Sequence, residues 1–333
     1  MMQFSKRKIY IGIVILVVIV GASFWLSKIG SKKIEISNNL TGINVPTNKP
    51  EQKSPIMGVE CANANARPFA VMVSSDVEAR PLSGIGEADM VFEMPVVENG
   101  FTRMMAVYQC GQPKEIGSVR SSRLDFVPLA LGIHSIYAHF GGEHTVLEEL
   151  NNGIIDNIDG LKYDGTIYYR KPNIPKPHNA FTSYDLLTKI SKDLGYDMSD
   201  STISYPHEDS SKSMGEVSPI SLFAEGFKVN WLYDKNSNSY FRTRNGLPEI
   251  DKNSGKQVEA KNVIVMKTTW SPVSKDYIRV KTVGSGGLLV YKDGTVVTGT
   301  WEKKDDKSKL YFYDENHKEV KLAPGIIWVE IAP

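Results

Sequence analysis

The chain has 333 residues, 41% of them apolar and 23% charged, enough to bury the cores of two ordinary domains and too apolar for a disordered polymer. The formal net charge is +1, and no region carries the basic excess of a nucleic-acid-binding surface, which excludes that class of partner. Charge is nonetheless unevenly spread: residues 1–60 hold 8 basic and 3 acidic side chains, residues 61–205 hold 12 and 18, and residues 206–333 hold 19 and 17.

At the N-terminus, Lys6–Lys8 precede 18 uncharged, mostly apolar residues from Ile9 to Leu26. As a helix this run spans ~27 Å at ~1.5 Å per residue, about a bilayer core. The expectation is a transmembrane signal-anchor over 9–26 with residues 1–8 as a cytoplasmic tail. The small residues Val20–Ala22 leave a cleaved signal peptide as the alternative. Either way the bulk of the chain is placed outside the cytoplasm, attached to the cell membrane as a single-pass protein in the first case. Residues 27–60 are rich in Asn, Thr, Pro and Lys without a sustained period, and read as a flexible linker. Cys61 and Cys110 lie in a compartment where disulfides persist, but spacing alone does not decide between a bridge and two thiols.

From 61 to 205, strands alternate with helices, which predicts an α/β domain with a mixed sheet and flanking helices. Strands are expected at 67–73, 88–94, 103–109 and 134–140. A short helix is expected over 125–132, capped by Asp125, and others over 143–153 and 183–195, the last capped by Ser183 and stopped by Gly195. Residues 206–226 begin as a polar connector. From 227 to 333 the runs are short and rich in β-branched and aromatic residues, with an Asp293-Gly294 hairpin signal. That part is expected to be mostly antiparallel β.

Chemistry concentrates in three loops. Ile116–Arg123 places Arg120 and Arg123 three apart among Ser118, Ser121 and Ser122, between a strand and a helix start. Arginine forks and serine hydroxyls suit carboxylate or phosphate. Six of the ten arginines (67, 80, 103, 120, 123 and 170) fall in the acidic domain, either to pair its own Asp89, Glu93 or Glu98 or to grip a ligand. His139-Phe-Gly141-Gly142 joins a strand to a helix, and its glycines let backbone approach a ligand. Tyr168–Ser183, with Pro, His178 and Asn179, is the third loop. Candidate ligand contacts are Arg103, Arg120, Ser121, Arg123, His139, Gly141, Gly142, Arg170, His178 and Asn179. Asp89 and His139 are the candidates for a catalytic role. No metal or other cofactor is expected.

The stretches ARPLSGIGEADMVFEMPVVENGFTRMMAVYQ, IGSVRSSR, HFGG and RKPNIPKPHN occur in this order and resemble successive motifs of the YerB-like lipoprotein family, a bacterial family of unknown function. VNWLYDKNSNSYFRTRNG, GTWEK and APGIIWVEI are similar to its C-terminal domain. The resemblance implies an extracytoplasmic, membrane-attached protein of two domains. Members of that family often carry a lipid-attachment cysteine, where this chain has the apolar run 9–26. A more distant similarity links the same order of motifs to the LytR-CpsA-Psr envelope phosphotransferases; it implies that Asp89 stands near a magnesium ion and that Arg120 and Arg123 hold phosphate. Three readings follow. The first is binding of an anionic envelope component through the arginines. The second is magnesium-dependent transfer from a polyprenyl-pyrophosphate-linked substrate. The third is a structural protein docking an envelope protein, with its arginines in internal ion pairs.

Overall fold

The computed structural model describes residues 52–98, 100–199, 203–209, 215–217, 220–223, 227–274 and 277–333. The expected tail, anchor and most of the linker lie outside the described residues. Among those described, no helix is long and apolar enough to cross a membrane.

Ten strands form one sheet and are numbered here in chain order. They are β1 (Phe69–Ser74), β2 (Met90–Pro95), β3 (Thr102–Tyr108), β4 (Ile136–His139), β5 (Asn157–Asp159), β6 (Asn262–Lys267), β7 (Gly284–Lys292), β8 (Thr295–Lys303), β9 (Tyr311–Asp314) and β10 (Ile327–Ala332). Across the sheet the order is β9-β8-β7-β6-β10-β2-β3-β1-β4-β5. The first five strands in the chain build one half of the sheet and the last five the other. The seam is β10, the last strand in the chain, which runs parallel to β6 on one side and to β2 on the other. The Asp293-Gly294 signal is the β7–β8 turn, with both residues at positive φ.

The central strands are buried on both faces. β3 has no exposed residue, and alternate residues feed two cores. Met105 and Val107 enter one, with Phe126, Tyr137, Trp301 and Phe312. Met104, Ala106 and Tyr108 enter the other, with Leu187, Trp231, Tyr240 and Trp328. Helices α1 (Val127–Gly132) and α2 (His144–Asn151) cover the first face, and α3 (Tyr184–Asp193) covers the second. A second antiparallel sheet, built around Val229–Asp234 and Ser239–Arg244, also lies on the second face.

Several expectations change. The described part of the linker expected over 27–60 is folded from Gln52 onward, where Gln52–Lys53 pairs with Glu60–Cys61. Its Ile56 and Met57 are buried in the first core, and Ser54 Oγ accepts from both their amides. The connector 206–226 contributes a strand, Ile220–Leu222, to the second sheet. Asp125 does not cap α1, which starts at Val127. Its carboxylate instead accepts from the Val280 amide at 2.9 Å and from Arg279 Nη1 at 3.0 Å, partners from the C-terminal half that sequence proximity cannot supply. Ser183 does cap α3, accepting from Leu186 N at 3.2 Å, and Gly195 follows that helix at φ 73°. Cys61 and Cys110 form a disulfide.

Candidate functional site

The parallel strands β1 and β4 end side by side, and β3 begins there, so Ser74, Arg103 and His139 share one end of the sheet. In an open sheet the carboxyl ends of parallel strands border a crevice. The loop 116–123 lies across it in extended form. Ser74 N donates to Ser118 O (3.0 Å), Arg120 N to Met72 O (2.9 Å), Phe140 N to Arg120 O (3.0 Å) and Ser122 N to Gly141 O (2.9 Å). On its outer side the loop pairs with Ala180–Thr182, which in turn pairs with Tyr169–Arg170. This small sheet carries the proline loop to the same place, where Arg120 Nη1 donates to Pro177 O at 3.2 Å.

Arg103, Arg120 and Arg123 converge here, although 17 residues separate the first two. Arg103 sits opposite Ser74 on the face of the first core and is 1% exposed. Its Nε and Nη1 have no hydrogen-bond partner among the described residues. Burial, then the charges of Arg120 and Arg123, lower its pKa to about 9. Asp76 opposes the two arginines but does not offset them and the burial. The Nε atoms of Arg120 and Arg123 and the Ser118 hydroxyl are likewise buried without partners. Asp76 is the acid nearby, 3.9 Å from Arg120 Nη2 and 3.7 Å from His178 Nδ1. The His178 pKa is lowered by burial and then by Arg120. Arg120, Asp76 and His178 side chains keep 15%, 16% and 12% of their surface exposed, so the cluster opens to solvent along this rim.

The far wall comes from the C-terminal half. The hairpin Trp270–Ser274 with Tyr277–Val280 places the Tyr277 ring 4.8 Å from the Arg123 guanidinium. Arg279 anchors this hairpin to Asp125 (3.0 Å) and Glu143 (3.3 Å). Asp76 and Tyr277 escaped the sequence reading. A lone Asp after a strand and a Tyr 154 residues beyond Arg123 carry no local signal.

Other candidates lie elsewhere or have structural partners. Arg170 turns away to pair with Asp164 (3.1 Å), donates to Asn179 Oδ1 (2.9 Å) and stacks 4.0 Å from the Phe140 ring. Asn179 therefore positions the proline loop through Arg170. The His139 ring is fully buried, with Nδ1 2.8 Å from Gly141 O and Nε2 3.3 Å from Asn157 Oδ1, and burial lowers its pKa. Gly141 N donates to Asp159 Oδ1 at 2.9 Å, and its φ of 67° suits glycine. A Cβ on Gly142 would stand 2.9 Å from Val146 and 3.3 Å from Ser122, so this glycine serves close packing. Ser121 is partly exposed within the loop.

Asp89 belongs to the opposite end of the sheet. It directly precedes β2, whose Met94 is the residue opposite Arg103, so five residues at ~3.3 Å each put Asp89 roughly 17 Å from the arginines. Its carboxylate accepts from the amides of Gln109 (2.6 Å), Cys110 (2.6 Å) and Gly111 (3.0 Å). Burial still raises its pKa, to about 6. Among the described residues no three His, Cys, Asp or Glu side chains gather as a metal site would need.

Glu93, expected beside Arg103, points to the other face. There it pairs with Arg242 and Arg244, and Arg242 also pairs with Glu249 and Glu330, all fully or nearly buried. Trp231 and Trp328 flank the Arg242 guanidinium at 5.1 and 4.2 Å.

Comparison with known proteins places these features in context. Residues 55–197 match the model described as the N-terminal domain of a protein of unknown function, DUF3048, and residues 220–329 match that of its C-terminal domain. A curated relative named "Putative lipoprotein YerB", from Bacillus subtilis (strain 168), is 29% identical over 297 residues, covering 87% of this chain and 88% of the relative. The crystal structure of YerB protein from Bacillus subtilis superposes with a TM-score of 0.75 at 27% identity, covering 85% of this chain and 97% of that one.

Proposed function

The chain belongs to the DUF3048 family, of which it carries both the N- and the C-terminal domain, and from that premise we propose that it is a membrane-associated extracytoplasmic protein that binds an anionic component of the cell envelope at the Arg103–Arg120–Arg123 cluster. The lipoprotein name of the Bacillus relative supports the location, and so does the apolar run Ile9–Leu26, which would anchor the N-terminus in the membrane.

One observation carries the binding reading. Arg103 is buried beside two further guanidiniums, and among the described residues two of its nitrogens have no hydrogen-bond partner and no carboxylate forms an ion pair with it. A buried, unpaired charge is costly and persists where something else compensates it. The internal-ion-pair reading expects Asp89, Glu93 or Glu98 at these arginines, whereas the ion pair found there among the described residues is Arg120 with Asp76, at 3.9 Å. Asp89 holds three backbone amides and Glu93 pairs with Arg242 and Arg244. The magnesium-dependent transfer reading gains no support from the placement of Asp89, at the far end of the sheet from the arginines.

The test is the Arg120→Gln/Arg123→Gln double variant, titrated with phosphate and sulfate. Affinity is expected to fall by roughly 100-fold, two charge-assisted contacts at about 1.5 kcal/mol each, while the melting temperature stays within about 2 °C because both side chains reach the rim. Unchanged affinity in the double variant, or no anion binding by the wild type, overturns the reading.

A further inference from the structure

We infer that the group seated among Arg103, Arg120 and Arg123 is a phosphomonoester dianion, a terminal phosphate with three free oxygens, and not a carboxylate or a phosphodiester. The inference rests on the anion-binding reading and names its chemical class.

The first argument is charge. Among the described residues, the charges that bear most on Arg103 are Arg120, Arg123 and Asp76, which with Arg103 itself leaves an excess of two positive charges around it. His178 adds none at neutral pH, since burial and Arg120 disfavour its protonated form. A carboxylate or a phosphodiester brings one negative charge and leaves one guanidinium uncompensated in a place where Arg103 is 1% exposed. A phosphomonoester brings close to two at neutral pH and closes the balance.

The second argument is the number and arrangement of donors. Arg103 Nε and Nη1, Arg120 Nε, Arg123 Nε and Ser118 Oγ are all buried without a partner. They come from two elements, the start of β3 and three positions of the 116–123 loop. A carboxylate or a diester offers two free oxygens, whereas a monoester offers three around a tetrahedral centre. The opening between Arg120, Asp76 and His178 leaves the fourth, ester oxygen a route to solvent and to whatever molecule bears the phosphate.

The experiment measures binding to the full chain in detergent micelles. The probes are inorganic phosphate, glucose 1-phosphate, short-chain phosphatidate, short-chain phosphatidylglycerol as the diester, and glucuronate as the carboxylate. At least one monoester or free phosphate is expected to bind ten times or more tighter than both the diester and glucuronate. Which of the three does so identifies a free, sugar-borne or lipid-borne source. Binding of the diester or of glucuronate within threefold of the best phosphate overturns the chemical class and leaves the anion site standing. Failure of every probe to bind overturns both. Arg103→Met is expected to remove the preference for phosphate entirely. Should that variant not fold, Arg120→Gln at the rim is expected to weaken phosphate at least tenfold while leaving glucuronate within threefold of its wild-type affinity. An undiminished phosphate preference in the variant that folds overturns the assignment.

Discussion

Arg103 and Thr102 are neighbours in the chain, yet they serve opposite faces of the sheet. Thr102 donates to Glu93 in the ionic cluster of the second face, while Arg103 enters the arginine cluster on the first. The period of two in a strand makes this division compulsory, and it explains why Glu93 is not the partner of Arg103. The sign of the Arg103 shift leads to a prediction. Its folded-state pKa is lowered to about 9, so at pH 7 it is charged both folded and unfolded, and the full cost of burying it is present. The cost is relieved only as pH rises above about 9, where the folded protein sheds the proton and the unfolded one does not. Arg103→Met should therefore stabilise the anion-free protein at pH 7 by about 1–4 kcal/mol, while the preference for phosphate is lost. Thermal denaturation with and without phosphate measures both effects; a fall in the melting temperature of anion-free Arg103→Met would show Arg103 to be a structural residue. The sequence made this cluster partly legible, because Arg120 and Arg123 stand in a small-residue loop between a strand and a helix. The internal partners of Arg170, His139 and Gly141, namely Asp164, Asn157 and Asp159, give no pattern along the chain and could not be read from it.

At the scale of elements, Ser239–Arg244 lies against the seam between β2 and β10, and its two arginines bind three buried glutamates there. Glu93 and Glu330 stand directly opposite each other on parallel strands. Like charges so placed repel, and Arg242 pairs with both. The cluster still holds two arginines against three carboxylates, with half-buried Arg80 beside it. Burial raises the Glu330 pKa to about 7, and Glu93 adds to the effect. Burial would raise Glu249 as well, but Arg244 and Arg242 reverse it, to about 2. The two glutamates act in opposite directions on stability. Between pH ~4.5 and 7 folded Glu330 holds a proton that the unfolded chain has lost, so its contribution declines as pH rises through that window. The Glu249 contribution is present above ~4.5 and is lost as pH falls towards 2. Glu330→Gln, which keeps an oxygen for the Trp231 indole N–H (2.8 Å in the wild type), should leave the melting temperature at pH 8 equal or higher and flatten its slope between pH 5 and 7. Arg242→Met, which leaves Glu330 without an ion pair and Glu93 and Glu249 with Arg244 alone, should cost about 3–5 kcal/mol at the same pH. Melting curves across pH check both, and a Glu330→Gln loss as large as that of Arg242→Met would refute the surplus-charge account. None of this was visible beforehand, because Arg242 and Glu93 are 149 residues apart and each reads locally as an ordinary charge in a strand.

The whole molecule follows from where β10 lies. The sequence separates an α/β part from a β-rich part, and the comparisons match each part on its own, but the last strand of the chain completes the sheet of both. Local periodicity identifies strands and helices well; it carries no information about which strand pairs with which, and a parallel partner more than 200 residues away is the least local pairing of all. Without the C-terminal half, β2 would present its apolar Met90–Met94 stretch as an open edge, and Glu93 would lose both arginines. An exposed apolar edge strand of that kind promotes aggregation. The arginine cluster depends on the same union, since the Tyr277–Val280 strand that bears on Arg123 and Asp125 comes from the C-terminal half. A fragment ending at residue 205 is therefore expected to be insoluble or to lack fixed tertiary structure, and one starting at residue 206 likewise. Co-expressed, the two should associate into a soluble pair that regains near-ultraviolet circular dichroism and phosphate binding. The uncut protein should unfold in a single calorimetric transition, as one cooperative body does. Two separate transitions, or an N-terminal fragment that folds and binds phosphate alone, would mean that the seam joins two independent units and that the hairpin from the C-terminal half is dispensable to the site.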